Sequence, residues 1–189
     1  AYKMQVVEAN DSVVLEKRVM VGKSHTPTPV FSELMRYIDF NPYWTVPHSI
    51  ASKEILPRLQ TDSSYLAKNN MELFLGDKKL SPYSIEWSLV TQRTFRYTIR
   101  QMPGSRNALG IVKFMFPNQY NVYMHDTPSK ELFQRDNRAY NSGCIRLSEP
   151  AMMGAFLLGI PEQDVISMML DKSQNNKIVR LAEHIPVHI

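Results

Sequence analysis

The sequence holds one cysteine, Cys144, among 189 residues. A single thiol cannot close an internal disulfide, so the fold is not stapled, and the thiol is either buried and inert or reactive. Cysteine content therefore leaves the compartment open. Long apolar runs are missing as well: none approaches the ~18 residues of a membrane-spanning helix, and no basic, apolar leader stands at the start. The chain opens directly in a strand-like pattern ("YKMQVVEA"). That suggests a domain trimmed from a longer protein, with any targeting segment outside it. Basic clusters are also absent. Lys plus Arg exceed Asp plus Glu by 22 to 18, but they are scattered, so nucleic acid is not an expected partner. The weak positive balance favours an anionic polymer or a substrate rich in carboxylates.

No zinc pattern survives either. His25 and His48 lie in proline-rich stretches and read as solvated, while His184 and His188 flank Pro186, which rules out the helical geometry that would aim both at one metal.

What is present is enough apolar material, 43% of residues, to bury one core, and the length fits a single domain with one insertion. Residues 3–9 and 12–21 are β-rich and joined by Asn10-Asp11, which predicts an antiparallel hairpin. From 24 to 48 the prolines at 27, 29, 42 and 47 predict a long ordered loop or short edge strands. Residues 49–72 read as two short helices, with Asp62 placed to cap the second. They make 49–92 a candidate insertion or lid, carrying Ile55, Leu59, Tyr65, Leu66, Met71 and Phe74 in excess of what solvated helices need. Strand character returns at "FRYTIRQ", "GIVKFMFP" and "YNVYMHD". Ser148-Glu149-Pro150 starts a helix of about 149–158 that Gly159 stops, another helix follows Pro161, and "KIVRL" is again a strand. The methionines at 152, 153, 168 and 169 read as core filling rather than a ligand box.

Chemistry gathers around Cys144. Gly143 before it permits a sharp turn whose consecutive backbone N–H groups could hold a developing oxyanion. Arg146, two residues on, shares its face if the segment is a strand, adding charge that favours thiolate or binds a carboxylate. A thiol with an ordinary pKa near ~8.5 needs a base. His125 ends an apolar strand and begins "HDTP", so it is either a surface histidine at a strand end or that base. The polar segment between them, with Arg135 and Arg138, is either a solvated loop or a set of substrate contacts.

"HDTP" at 125–128, "LF" and "RA" at 132–133 and 138–139, "SGCIR" at 142–146 and "PGSRNALGIVKFMFPN" at 103–118 together closely resemble the L,D-transpeptidase catalytic domain, the YkuD-like fold of bacterial cell-wall enzymes. The resemblance extends through "FNPYWTVPHSIASKEILP" at 40–57 and is closest to the periplasmic branch with a helical capping insertion. It implies an α+β, mostly β, sandwich-like domain over 1–189, with the insertion at 49–92 as a lid. It implies Cys144 as nucleophile, His125 as base and Asp126 as the residue whose backbone carbonyl orients the imidazole. Ser142, Gly143 and Cys144 would supply the oxyanion-hole amides. Tyr123, Asn107, Arg138 and Arg146 are the candidate substrate contacts. The widespread family motif Ser/Thr-His-Gly-Cys is here Asn141-Ser142-Gly143-Cys144, without the second histidine.

The expected reaction attaches a peptidoglycan stem peptide to Cys144 as a thioester, releases D-alanine and makes a 3-3 cross-link between diaminopimelate residues, with no metal or organic cofactor. Carbapenem β-lactams are expected covalent inhibitors. The expected location is the bacterial periplasm or envelope, with the full-length protein anchored to the inner membrane as one option. An L,D-carboxypeptidase, a lipoprotein-anchoring enzyme and an inactive wall-binding module remain alternatives.

Overall fold

The computed structural model describes residues 2–189. Strands β1 (Lys3–Val7) and β2 (Val13–Gly22) form the expected antiparallel hairpin. At its turn Asp11 takes a positive φ of 65°, which a short polar side chain tolerates. The next stretch departs from expectation. Ser32–Phe40 is a nine-residue strand, β3, in the interior of the sheet rather than a loop or an edge. The prolines that suggested otherwise all lie outside it, before Ser32 or after Phe40, so each of its backbone N–H groups remains a donor.

The chain then makes β4 (Trp44–Thr45), a helical run of α1 (His48–Ile50), a π-turn (Ala51–Ile55) and α2 (Leu56–Thr61), and a short α3 (Tyr65–Lys68). After these come β5 (Met71–Leu75), β6 (Lys78–Leu80) and β7 (Thr98–Gln101). It continues through β8 (Val112–Met115), β9 (Met124–His125), β10 (Ala139–Asn141) and β11 (Ile145–Leu147). Helices α4 (Pro150–Leu158) and α5 (Glu162–Leu170) and the long strand β12 (Lys177–His188) close it. Gly159 ends α4 with φ 63°, as its position predicts, but the N-cap is Glu149 and not Ser148.

These elements form two compact units, one of residues up to Pro42 with Leu109–Ile189, the other Tyr43–Ala108. In the first, an eight-stranded sheet runs β1-β2-β11-β9-β8-β3-β12, with β10 pairing parallel to β2. Pro186 sits in β12, at an edge of that sheet, where a missing donor costs no ladder bond. One face carries Val19, Ile38, Phe40, Val112, Phe114, Met124, Ile145 and Leu147, and α4 and α5 cover it with Met153, Val165 and Met169. Of the four methionines read as core filling, Met153 and Met169 are in the core and Met168 packs against it, whereas Met152 lies outside it with its sulfur accepting from Lys17. The helices approach so closely that a Cβ on Gly154 would lie 2.7 Å from Val165 Cγ1. With this face filled, the residues alternating with the core ones are left for chemistry.

The second unit corrects the expected insertion in extent and content. It spans 43–108 rather than 49–92, and beyond its two helical stretches it is a four-stranded sheet, β4-β7-β5-β6. The apolar surplus is spent inside it: Ile55, Leu56, Leu59 and Leu66 meet Leu73, Trp87, Phe95 and Ile99 in a core of its own, with Tyr65 and Met71 against its border.

Candidate active site

Strands β9 and β11 run parallel, with Met124 beside Ile145 and His125 beside Arg146. Because Met124 and Ile145 point into the core, His125 and Arg146 face the other way, as do Tyr123 and Cys144 one step back along each strand. The same row continues across the sheet, since Lys113 on β8 lies beside His125 and Asp39 on β3 beside Lys113. Four strands thus set Asp39, Lys113, His125 and Arg146 side by side, next to Tyr123 and Cys144.

His125 is 4% exposed. Its Nδ1 lies 2.5 Å from the Asp126 backbone oxygen, and because a carbonyl only accepts, Nδ1 carries the hydrogen and the neutral ring keeps its lone pair on Nε2. Burial, helped by the Arg146 guanidinium and Lys113, pushes His125 down to about 4 against the opposing pull of the Asp126 and Leu109 carbonyls. The Asp126 carboxylate turns elsewhere: Oδ2 accepts from the Ile111 N–H at 3.1 Å, and the group rests on Gly110. Burial raises its pKa.

Cys144 is half-buried, and its thiol donates to the Asn121 carbonyl at 3.8 Å. Burial raises its pKa, while hydrogen bonds from Tyr123 and the charge of Arg146 pull the other way. Tyr123 is itself braced, with its ring 5.8 Å from that of His125 and the Lys113 ammonium 5.7 Å from its centroid. Lys113 is in turn held by buried Asp39 at 3.0 Å. Arg146 Nε is buried with no hydrogen-bond partner among the described residues.

The loop before Cys144 is locked from within. Asn141 Nδ2 donates to the Cys144 carbonyl at 2.9 Å and the Met20 carbonyl at 3.3 Å. Gly143 has φ 108°, a conformation open to glycine and strained for other residues. Ser142 is exposed.

Two of the predicted substrate contacts are spent on the fold. Arg138 gives Nε to the Val19 carbonyl and its two terminal nitrogens to the Arg135 and Tyr2 carbonyls, which uses its planar donors to hold backbone in place. Asn107 is buried in the second unit with Nδ2 on the Met102 carbonyl at 3.0 Å. His48, read as solvated, has Nε2 at 3.1 Å from the Phe95 carbonyl, and His188 pairs with Ser32. Sequence reading missed Asp39, Lys113 and the side-chain role of Asn141. The period-2 pattern of β3 and β8 would have put Asp39 and Lys113 on the side away from the core, but only the register aligns them with His125.

A family model described as the L,D-transpeptidase catalytic domain, YkuD, matches residues 1–160. A curated Haemophilus influenzae protein named "Putative L,D-transpeptidase" is 34% identical over 159 residues, covering 84% of this chain and 32% of that protein. The chain therefore spans about a third of the length of that relative.

Proposed function

This chain belongs to the L,D-transpeptidase catalytic domain family, and from that premise we propose that it transfers a peptidoglycan stem peptide through a thioester on Cys144 to form a 3-3 cross-link. His125 Nε2 takes the thiol proton, and the sulfur attacks the carbonyl joining meso-diaminopimelate to D-alanine in a tetrapeptide stem. Backbone N–H groups of residues 142–144 hold the oxyanion. As the intermediate collapses the C–N bond breaks, D-alanine leaves with the proton from His125, and the acyl group stays on sulfur. The side-chain amine of a second diaminopimelate then loses a proton to His125, attacks the thioester carbonyl and forms an amide as the C–S bond breaks. The proton returns to Cys144.

The observation that carries this reading is the pairing of His125 Nδ1 with the Asp126 carbonyl, which puts a ring hydrogen on Nδ1, in a residue whose strand register gives it the same sheet face as Cys144. Arg146, with its unpartnered Nε, is the group suited to a stem carboxylate. The proposal places the reaction in the bacterial periplasm, where such stems occur.

Incubation with disaccharide-tetrapeptide tests it, with products read by mass spectrometry. Cross-linked dimer with loss of D-alanine is expected from the native chain, and neither dimer nor acyl-enzyme from Cys144→Ser, since a hydroxyl is far more weakly acidic than a thiol. Tripeptide alone would make it a carboxypeptidase, and native-level turnover by the serine variant would overturn Cys144 as nucleophile.

A further inference from the structure

Thr28 lies in the connection between β2 and β3, and its hydroxyl is committed at both ends. Thr28 Oγ1 accepts from the Gly22 N–H at 2.9 Å and donates to the Gly143 carbonyl at 2.8 Å. Neither direction can reverse, because an N–H only donates and a carbonyl only accepts. One hydroxyl therefore bridges the end of β2 to the residue before the nucleophile.

The peptide joining Gly143 to Cys144 is planar and trans, so its C=O and N–H point in opposite directions. Holding the Gly143 oxygen on Thr28 fixes the direction of the Cys144 N–H, which has no acceptor among the described residues. The Asn141–Ser142 peptide, two before it, is treated alike. The Asn141 carbonyl accepts from the Lys23 N–H at 2.9 Å and the Thr26 hydroxyl at 3.2 Å, which orients the Ser142 N–H. All these donors belong to one short turn.

The turn is built to approach this closely. A Cβ on Gly22 would lie 2.1 Å from the Thr26 oxygen and 2.7 Å from the Thr28 nitrogen, so only glycine there lets residues 26–28 fold back over the strand end. Pro27 and Pro29 flank Thr28 and restrict its backbone on both sides. The hydroxyl is presented by a stiff segment to a loop that, at Gly143 with φ 108°, has wide conformational freedom of its own.

We propose that Thr28 is a positioning residue that presets the oxyanion-hole N–H of Cys144 by holding the Gly143 carbonyl. It touches no reacting atom and acts through the peptide plane. The proposal rests on Cys144 being the acylated nucleophile, and its test separates the two. Acylation by a carbapenem passes through a tetrahedral oxyanion, whereas alkylation by iodoacetamide displaces iodide at a saturated carbon and needs no oxyanion hole. In Thr28→Val the rate of carbapenem acylation is expected to fall on the order of 100-fold, the scale of losing one oxyanion donor. Iodoacetamide alkylation of Cys144 should stay within about twofold, because thiol, base and cation are untouched. Thr28→Ser, which keeps the hydroxyl, should restore acylation. Thr28→Ala leaves room for a water to bridge Gly22 and Gly143, and it serves as the second variant should valine not fold, with a smaller loss in the same direction. Acylation at the native rate in Val or Ala would overturn the proposal, as would an equal fall in both reactions, which marks a general structural role. A native protein that is alkylated but never acylated would overturn the reading of Cys144 itself.

Discussion

At the scale of single residues, His125 has a cation on either side in the sheet register, Lys113 on β8 and Arg146 on β11. Burial is the largest influence on the ring, those charges add to it, and together they bring His125 to about 4. Cys144 is pushed the other way, upward, by its own burial. In these directions neutral pH favours the neutral imidazole and the protonated thiol, so the proposed mechanism starts from a thiol and a neutral base. The sign for activity follows: the base is lost only when pH falls through the depressed value. Acylation measured as kcat/KM should lose its acid limb near about 4 rather than near the ordinary ~6.5, and His125→Gln should lack that limb and gain rate only at alkaline pH, as the thiol ionises unaided. An acid midpoint between about 6 and 7 in the native protein would show that the cations and burial do not set the base.

At the scale of elements, the segment leading into β8 and the end of β9 are strapped together by Asp126. Its N–H donates to the Val112 carbonyl at 2.9 Å, and its carboxylate accepts from Ile111. Gly110, with φ 64°, makes room, because a Cβ there would come 2.3 Å from Asp126 Oδ2. Gly110→Ala must displace the residue whose carbonyl holds His125. A loss of about 1–3 kcal/mol in urea unfolding is expected, together with acylation slowed at least about tenfold. Gly76→Ala is the control. Gly76 has a similar φ of 58° but nothing within 4 Å of the added carbon, so it should cost only about 1 kcal/mol of backbone strain and leave acylation unchanged. Equal effects at the two glycines would show that backbone strain, and not contact with Asp126, matters at 110.

At the scale of the whole molecule, Tyr43–Ala108 is a unit with its own sheet and core, inserted between β3 and β8 of the unit that holds Cys144 and His125. All the side chains argued above to act on the thiol come from the first unit. Replacing 43–108 with a short Gly/Ser linker should therefore leave Cys144 open to acylation by a carbapenem. With tetrapeptide, products should shift from cross-linked dimer toward hydrolysed tripeptide if the second unit governs the fate of the thioester. An unchanged product ratio would remove that role from it. Loss of acylation itself, with the shortened chain still melting cooperatively, would mean that the first unit does not hold the complete nucleophile site.

The sequence by itself determined the elements whose signals are local: the hairpin at Asn10-Asp11, the helix that begins at Pro150 and stops at Gly159, and the Gly-Cys turn. It also marked His125 and Cys144, since a strand-end histidine and a thiol after a glycine are visible in a few neighbouring residues. It misjudged β3, because prolines lying outside the strand weighed on a window that included it. Arg138 and Asn107, expected as substrate contacts, hold backbone carbonyls, and in sequence a guanidinium or amide spent on backbone looks like a free one. The tertiary structure alone decided the rest. Asp39, Lys113, His125 and Arg146 come from four strands, and only register between strands makes them neighbours. Thr28 and Gly143 are over a hundred positions apart, and no local pattern records a hydrogen bond across that distance. Hydrophobic periodicity reports which face of a strand is buried, whereas what lies beside a residue on the open face depends on pairing that only the folded sheet fixes.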